Sequence, residues 1–433
     1  MLRFVTAAAT AALLASSAHA ATNITWWHAM GGKLGETVNT IASDFNGSQS
    51  ACSIEAIYKG SYEEALTAGI AAFRAGEAPN IIQIFEAGSA SIIYAKGAAY
   101  PVEDLMTEAG HDFDSEDYIA GIRNFYTDPS GKMIGMPFNS STPVLYFNKA
   151  ALEKAGVEAP KTWEEFEAIA PKLVEAGFIP LSQSHTPWIW TENFMSRHNL
   201  QISDNGNGYD GASKELKFKN DDLVFHFTKA KEWKDKGWYG YYGSKWGDNR
   251  VPFEKEEVAM WLGSSGSFGG LKTTAQFDFG TTYLPYWNEI AKQDGGYNTF
   301  IGGAALFAFS GKSEEENKCS AAFFEHLSSP ETQVFWHKET GYVPITSAAY
   351  DLAKSEGYYE QEPGAEVGIK QLNLSGGEWT RGYRLGFYLQ IREVMNQQFD
   401  KLFAGETTPE AVFETVDEEG GKLLARFAKS TGQ

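Results

Sequence analysis

Short apolar runs alternate with helical segments at the start of the chain, and this alternation restricts the fold more than any other feature. The runs cover residues 23–30, 54–58 and 80–85. The segments between them carry apolar residues at helical spacing: Leu34, Val38, Ile41 and Phe45, then Leu66, Ile70 and Phe73. Strand, helix, strand, helix, strand is the pattern of a parallel sheet in an α/β protein.

The rest of the chain continues in the same way. Strands are predicted at residues 258–262 and 304–309, and helices at 314–327 and from 384 to 429. Thr162 and Thr408-Pro409 are typical of helix starts. A chain of 433 residues is too long for one compact domain. Because we find no linker-like or repetitive segment, we expect two α/β lobes between which the chain crosses more than once.

Residues 1–20 have the form of a cleavable secretory signal. Arg3 supplies a positive charge, residues 4–15 are apolar and small, and Ala18-His19-Ala20 is a cleavage site. We expect cleavage after Ala20. No cysteine stands at the cleavage point to carry a lipid, so the pattern indicates a soluble protein of the periplasm.

The composition excludes several classes of partner. A formal net charge of −20 disfavours binding to nucleic acid or anionic lipid, because both would be repelled. Two cysteines are too few for a disulfide framework or a zinc cluster. Cys52 and Cys319 would meet an oxidising compartment, and the sequence leaves open whether they pair or remain two buried thiols.

Motifs for catalysis and for cofactor binding are missing from the sequence. The histidines are scattered without metal-ligand spacing, the Ser/Gly run at 263–267 lacks the lysine of a phosphate-binding loop, and no G-x-S-x-G occurs there. No carboxylates form a defensible acid–base pair. We therefore expect no metal, no cofactor and no enzymatic activity.

A set of polar and aromatic residues at element ends remains unexplained. Taken singly, each has an ordinary structural interpretation, because Ser/Gly runs mark turns and Tyr and Trp are often half-buried at surfaces. The set becomes informative only through its order along the chain, which matches a known pattern. The matching segments are residues 27–30, 58–63, 68–74, 137–146, 264–267, 301–304, 340–346, 384–386 and 390–392.

Through these segments the chain resembles the extracytoplasmic solute-binding proteins of ABC importers, and among them those that bind sn-glycerol-3-phosphate. The resemblance implies a two-lobed, maltose-binding-protein-like α/β clamshell with discontinuous lobes. Residues 21–137 and 303–342 would form lobe one, and residues 138–302 and 343–433 lobe two. The three crossings would lie near residues 138–142, 301–303 and 342–346.

The resemblance also implies a ligand site in the cleft between the lobes. Carried over motif by motif, its residues are Tyr62, Glu86, Ser141, Ser264, Gly303, Tyr342 and Arg392. Hydroxyl groups, a backbone N–H and the Arg392 cation suit a phosphate. A carboxylate would repel phosphate, so Glu86 is expected at the glycerol end with Ser264.

One position departs from the pattern of the glycerol-3-phosphate binders. Alignment on Glu192-Asn193-Phe194 places His185 where those proteins carry a tryptophan. Loss of that wall would open the cleft to a larger glycerophosphodiester such as glycerophosphocholine. Trp188 or Trp190 could instead supply the wall, or a cation–π face for choline.

Three classes of function therefore compete. The first is a binding protein for glycerol-3-phosphate or a glycerophosphodiester that acts as a monomer, closes on its ligand and delivers it to ABC permease subunits. The second is the same fold binding a neutral sugar or polyol, and the third is a secreted hydrolase. If the protein is a binding protein of the first class, replacing Ser141 or Arg392 should weaken ligand binding and leave the fold intact.

Overall fold

The strands of the protein form two separate mixed sheets. The computed structural model describes residues 21–244 and 247–432, so the predicted signal at residues 1–20 lies outside the described residues. The strands are β1 (Thr22–His28), β2 (Cys52–Tyr58), β3 (Ile81–Phe85), β4 (Ala99–Tyr100), β5 (Met136–Ser141), β6 (Pro143–Asn148), β7 (Ile179–Gln183), β8 (Tyr239–Gly240), β9 (Val258–Ser264), β10 (Phe279–Tyr283) and β11 (Gly302–Phe309).

The first sheet has the order β2-β1-β3-β11-β4, and β5 also pairs with β11. Strands β1, β2 and β3 are parallel, as the alternating pattern predicts. Strand β11 runs antiparallel to β3, β4 and β5. The expectation of a parallel sheet is therefore right for the first three strands and wrong for the others, because β11 arrives from a distant part of the chain.

The second sheet has the order β10-β6-β9-β7-β8. Strands β9, β7 and β8 are parallel, whereas β10, β6 and β9 are antiparallel. Each sheet with its helices forms one lobe, so we use lobe one for the first sheet and lobe two for the second.

Helices cover both sheets. They are α1 (Gly32–Ser48), α2 (Tyr62–Ala75), α3 (Glu86–Ile93), α4 (Val102–Glu108), α5 (Ala120–Arg123), α6 (Lys149–Ala155), α7 (Trp163–Glu175), α8 (Asn193–Arg197), α9 (Asp204–Asn207), α10 (Asp221–Asp235), α11 (Val251–Glu254), α12 (Phe268–Thr274), α13 (Asn288–Ala291), α14 (Glu314–Ser328), α15 (Pro330–Thr340), α16 (Ser347–Ser355), α17 (Tyr358–Gln361), α18 (Pro363–Leu372), α19 (Tyr388–Ala404) and α20 (Pro409–Thr431). Among the described residues, no helix combines the length and the apolar character needed to cross a membrane.

Helix α2 shows where apolar spacing misleads. Its predicted face contained Ile70 and Phe73, but both side chains are exposed. The helix instead buries Ala65, Leu66 and Gly69. A Cβ at Gly69 would lie 2.3 Å from the Cδ1 of Ile82 on β3, so the absent side chain is what lets the helix approach the sheet closely.

The chain crosses between the sheets three times. Strand β5 ends in lobe one at Ser141 and β6 begins in lobe two at Pro143. The first crossing is therefore at Thr142, within the predicted crossing at residues 138–142 and a few residues after the expected lobe boundary at 137. The second lies between β10 and β11. The third follows α15, at residues 341–346, and leads to α18, which packs on β6 and β10.

A disulfide joins Cys52, the first residue of β2, to Cys319 in α14. The two Cα atoms are 5.6 Å apart, although the residues are 267 positions apart in the sequence. The bond resolves the question that the sequence left open. It ties the edge strand of lobe one to a helix that returns to this lobe only after the chain has passed through lobe two.

Replacing both cysteines by serine is expected to lower the free energy of unfolding by about 2–5 kcal/mol, because the bond closes a long loop in the unfolded chain. Urea denaturation of the oxidised wild-type protein and of the double variant measures the difference. The reduced wild-type protein is the control and should match the variant. Equal stability of oxidised protein and variant would contradict a stabilising role for the bond.

Candidate functional site

The seven predicted ligand residues come from distant parts of the chain, and the fold brings them together where the lobes face each other. Tyr62 and Glu86 are the first residues of α2 and α3, which follow the carboxyl ends of β2 and β3. Parallel strands place their ligand-binding loops at this edge. The other members come from the ends of β5, β9 and β11, from the third crossing, and from α19: Ser141, Ser264, Gly303, Tyr342 and Arg392.

A ladder of hydrogen bonds along the edge of lobe one holds Tyr62 in place. The Ala29 backbone N–H donates to the side-chain oxygen of Gln83 (2.7 Å), and the Gln83 side-chain amide donates to Oδ1 of Asn139 (2.8 Å). The Asn139 side-chain amide in turn donates to the Tyr62 hydroxyl (2.8 Å). The Tyr62 ring also stacks on Phe85, with centroids 5.1 Å apart. The hydroxyl is therefore positioned by the ends of three strands.

Tyr342 approaches the same place from the third crossing. Its ring stacks on Trp336 at 5.6 Å and lies against Gly266, where a Cβ would be 2.7 Å from the ring. Burial raises the pKa of both Tyr62 and Tyr342, and each phenol also affects the other. Both groups therefore remain protonated at neutral pH and can act as hydrogen-bond donors.

The crossings place the serines and glycines of the site side by side. Ser141 pairs with Gly302 and Ser140 with Gly303, while Ser264 pairs with Pro143. Gly303 has a φ of +91°, and a Cβ there would lie 1.9 Å from the Asn139 carbonyl oxygen. Only glycine fits this position, so it is required for close approach of two backbones as well as for any contact with ligand.

The two candidate wall tryptophans have different surroundings. Trp188 lies against the second crossing, where a Cβ on Gly302 would be 2.5 Å from its indole ring, and its buried Nε1 has no hydrogen-bond partner among the described residues. Trp190 is packed inside lobe two, 4.7 Å from Tyr239 and 6.0 Å from Trp163 between ring centroids. Trp190 lies in the π-helical turn Pro187–Glu192 and is buried in the core, so the structure gives it no exposed face for a ligand.

His185 lies just before that turn, with a φ of +54°. Its side chain is exposed, yet the surrounding protein and the charge of Arg392 lower its pKa to about 3. The imidazole is therefore close enough to Arg392 for that charge to disfavour its protonation. It is neutral at physiological pH.

Arg392 is held between two carboxylates. Its Nε and Nη2 donate to the two oxygens of Glu192 at 2.8 and 2.7 Å. Its Nη1 lies 2.7 Å from Oε1 of Glu86, and Nη2 also donates to the Tyr383 hydroxyl at 3.0 Å. Glu86 begins α3, directly after β3 of lobe one, whereas Glu192 ends the π-helical turn that follows β7 of lobe two, so the guanidinium joins carboxylates from both sheets' ends.

This arrangement changes the expected division of the site. The sequence suggested that Arg392 binds phosphate while Glu86 stays at the opposite, glycerol end, whereas the two side chains are in direct contact. Burial raises the pKa of Glu86 and the Arg392 charge opposes that shift. The pair therefore forms one subsite that contains both a cation and an acceptor. The two residues do not lie at opposite ends of the ligand site.

The sequence alone did not identify three residues that hold the site together: Glu192, Tyr383 and Gln83. Glu192 served there only to align a motif, although it is completely buried. The available signal was a lone carboxylate in the apolar run from Trp188 to Phe194, since an ionisable residue in such a run needs a buried partner. Nothing in the sequence identifies that partner.

The site offers hydrogen-bond donors and acceptors. In the part of the chain that the structure describes, no group of three or more histidine, cysteine or acidic side chains is placed to hold a metal ion. What the site presents is hydroxyl groups, one shared cation and a carboxylate between two lobes.

The chain passes three times between two mixed sheets, and a polar site lies where the two lobes meet. This combination is typical of a solute-binding protein. The model of the bacterial extracellular solute-binding proteins matches residues 40–366, and the chain belongs to this family. It is an exported binding protein and not an enzyme.

Two named relatives match almost the whole chain. It is 39% identical to the sn-glycerol-3-phosphate-binding periplasmic protein UgpB of Escherichia coli K12, over 96% of each chain. It is 38% identical to the protein of the same name from Pectobacterium atrosepticum, over 99% of this chain and 97% of the relative.

Solved structures confirm the maltose-binding-protein-like fold. UgpB of Mycobacterium tuberculosis, crystallised with glycerophosphocholine, aligns with a TM-score of 0.78 at 20% identity over 94% of this chain and 99% of that one. Maltose-bound MalE3 of T. maritima aligns with a TM-score of 0.74 at 18% identity over 93% and 100%. At these identities the likeness concerns the fold alone.

Proposed function

We propose that the protein is the periplasmic substrate-binding subunit of an ABC importer for sn-glycerol-3-phosphate or a glycerophosphodiester. In this proposal the first twenty residues are removed after Ala20, and the mature protein acts as a monomer. It captures the ligand between its lobes and delivers it to the permease. The names of the relatives at 38–39% identity support the ligand class.

One observation carries the proposal: the seven residues expected to bind the ligand converge on one place from seven chain segments. Direct contacts link several of them in pairs, among them Glu86 with Arg392, and Tyr62 with Tyr342. Residues that were merely punctuating turns would have no reason to meet at the interface of two lobes.

The phosphate would be bound mainly by neutral donors. Tyr62 and Tyr342 supply hydroxyls held in fixed positions. Ser141 ends β5 of the first sheet and Ser264 ends β9 of the second, on the two sides of the first crossing. Several such donors can bind an oxyanion without a dedicated cation, because hydrogen bonds to a charged group are roughly twice as strong as those between neutral groups. Arg392 and Glu86 would together meet the glycerol hydroxyls, one donating and one accepting.

The charge of the site favours a second candidate within the same class. Two carboxylates, Glu86 and Glu192, surround the single guanidinium. A phosphodiester carries one negative charge, whereas a phosphate monoester approaches two at neutral pH. The diester glycerophosphocholine would meet less repulsion, and Trp188 beside Gly302 would offer an aromatic wall for its choline group.

Closure of the lobes is the proposed mechanism. Glu86 lies on lobe one and Arg392 on lobe two, so a ligand that contacts both lowers the free energy of the closed form relative to the open one. The differential contacts drive closure, and the permease would recognise the closed protein.

Calorimetric titration of the mature chain with sn-glycerol-3-phosphate and with glycerophosphocholine tests the proposal. We expect binding of at least one, and Ser141→Ala should weaken it by about tenfold or more through loss of a hydrogen bond to a charged group. Ser355→Ala, at the exposed end of α16, is the matched control and should bind like the wild type. Binding of neither ligand, with tight binding of a neutral sugar, would contradict the proposal.

A further inference from the structure

Glu192 is a buried residue of the site whose carboxylate does not point toward solvent. It is the last residue of the π-helical turn Pro187–Glu192 and is completely buried. Both of its carboxylate oxygens accept hydrogen bonds from Arg392, and Oε2 also accepts from the Tyr383 hydroxyl at 3.2 Å. With its acceptors turned toward Arg392 and Tyr383, Glu192 acts on a ligand through Arg392.

The donors of Arg392 can be counted. A guanidinium has five N–H groups. Glu192 takes one from Nε and one from Nη2, the Tyr383 hydroxyl takes the second from Nη2, and Glu86 takes one from Nη1. Within residues 21–244 and 247–432, these contacts leave one N–H, on Nη1, for a ligand, and it is next to the Glu86 carboxylate.

We propose that Glu192 is a positioning residue that makes this subsite selective for an alcohol group over a phosphate. One donor beside one acceptor matches a hydroxyl, which both accepts and donates. A phosphate offers several acceptors, needs several donors, and would be repelled by Glu86. The inference rests on the proposed function and specifies which part of a glycerol phosphate this subsite takes.

Without the charge of Glu192, the same arginine would become an anion site. In Glu192→Gln the side chain keeps its size, but its amide group cannot accept from Nη2. One guanidinium donor, on Nη2, is then released beside the remaining N–H of Nη1, and the local charge becomes more positive by one. A free guanidinium fork binds phosphate in a bidentate manner, so selectivity should fall through a gain in affinity for the wrong ligand.

The experiment compares the dissociation constants of sn-glycerol-3-phosphate and inorganic phosphate for the mature wild-type and Glu192→Gln proteins. We expect the ratio of the two constants to shift toward inorganic phosphate by about tenfold or more, the effect of a charged hydrogen bond. Glu314→Gln, on the exposed start of α14, is the control and should leave the ratio unchanged. Equal weakening of both ligands would overturn the inference, because a structural role alone predicts that result.

A second variant covers the case in which Glu192→Gln does not fold. Tyr383→Phe removes one hydroxyl that fixes the same guanidinium, and it should shift the ratio in the same direction by a smaller factor. An unchanged ratio in a folded Tyr383→Phe protein would also overturn the inference. Failure of the wild type to bind either glycerol ester would instead refute the proposed function, and this inference with it.

Discussion

Replacing Arg392 by alanine is expected to lower the free energy of unfolding by about 3–5 kcal/mol, in addition to weakening ligand binding. The substitution leaves Glu192 fully buried without its cation, and breaking a buried ion pair by removing one partner has a cost of this size. Urea denaturation of the ligand-free proteins measures it. The sequence alone suggested a loss of binding with the fold intact, and the buried partner changes that expectation.

A double variant separates the charge from the space that the side chain fills. Arg392→Met combined with Glu192→Leu replaces the pair by apolar groups of similar size, which is often neutral or stabilising. We expect its stability to return close to that of the wild type while ligand binding remains weak. Wild-type stability of Arg392→Ala itself would show that Glu192 does not need this cation.

Replacing Gly303 by alanine is expected to cost at least about 3 kcal/mol of stability, from an unfavourable backbone conformation and a backbone clash. Its φ of +91° is strained for any residue with a Cβ, and that Cβ would meet the Asn139 carbonyl oxygen at 1.9 Å. The Asn139 oxygen belongs to the backbone, so it cannot move aside as a flexible side chain could. Because the Asn139 amide also holds Tyr62, ligand binding should fall together with the melting temperature.

Gly156 provides the matched control for this prediction. Its φ is +63°, and nothing lies within 4 Å of a Cβ built there. Gly156→Ala should therefore cost only about 1 kcal/mol, the penalty for placing alanine in the left-handed region. Similar losses of stability in the two variants would mean that the contact with Asn139 adds no destabilisation and that the backbone at the crossing can shift at little cost.

Local signals in the sequence predicted the first strands and helices and several later elements of the fold. Thr408 caps α20 and Pro409 opens it, and strand β9 begins at Val258 as predicted. These features depend on neighbours in the chain. The antiparallel placement of β11 beside β3 depends on residues more than 200 positions apart, and the exposed face of α2 depends on the close approach at Gly69, so neither could be read from spacing.

For the site as well, the sequence predicted some features and not others. Its members were named through their resemblance to a family, because each sits in a recognisable local motif. Their pairing was not predictable, since Glu86, Glu192 and Arg392 are far apart in the sequence and a motif does not state which carboxylate an arginine meets. The number of donors that Arg392 has left depends on that pairing.

The three crossings also determine how the lobes can move. Gly303 pairs with Ser140 across the first and second crossings, and the Val343 N–H of the third donates to the Ser140 carbonyl oxygen at 2.8 Å. Three segments bonded side by side can bend together, but a twist or a slide would break the bonds between them. The lobes are therefore expected to open and close about one axis, and a transport partner that senses the opening angle would receive the state of the binding site as one mechanical variable.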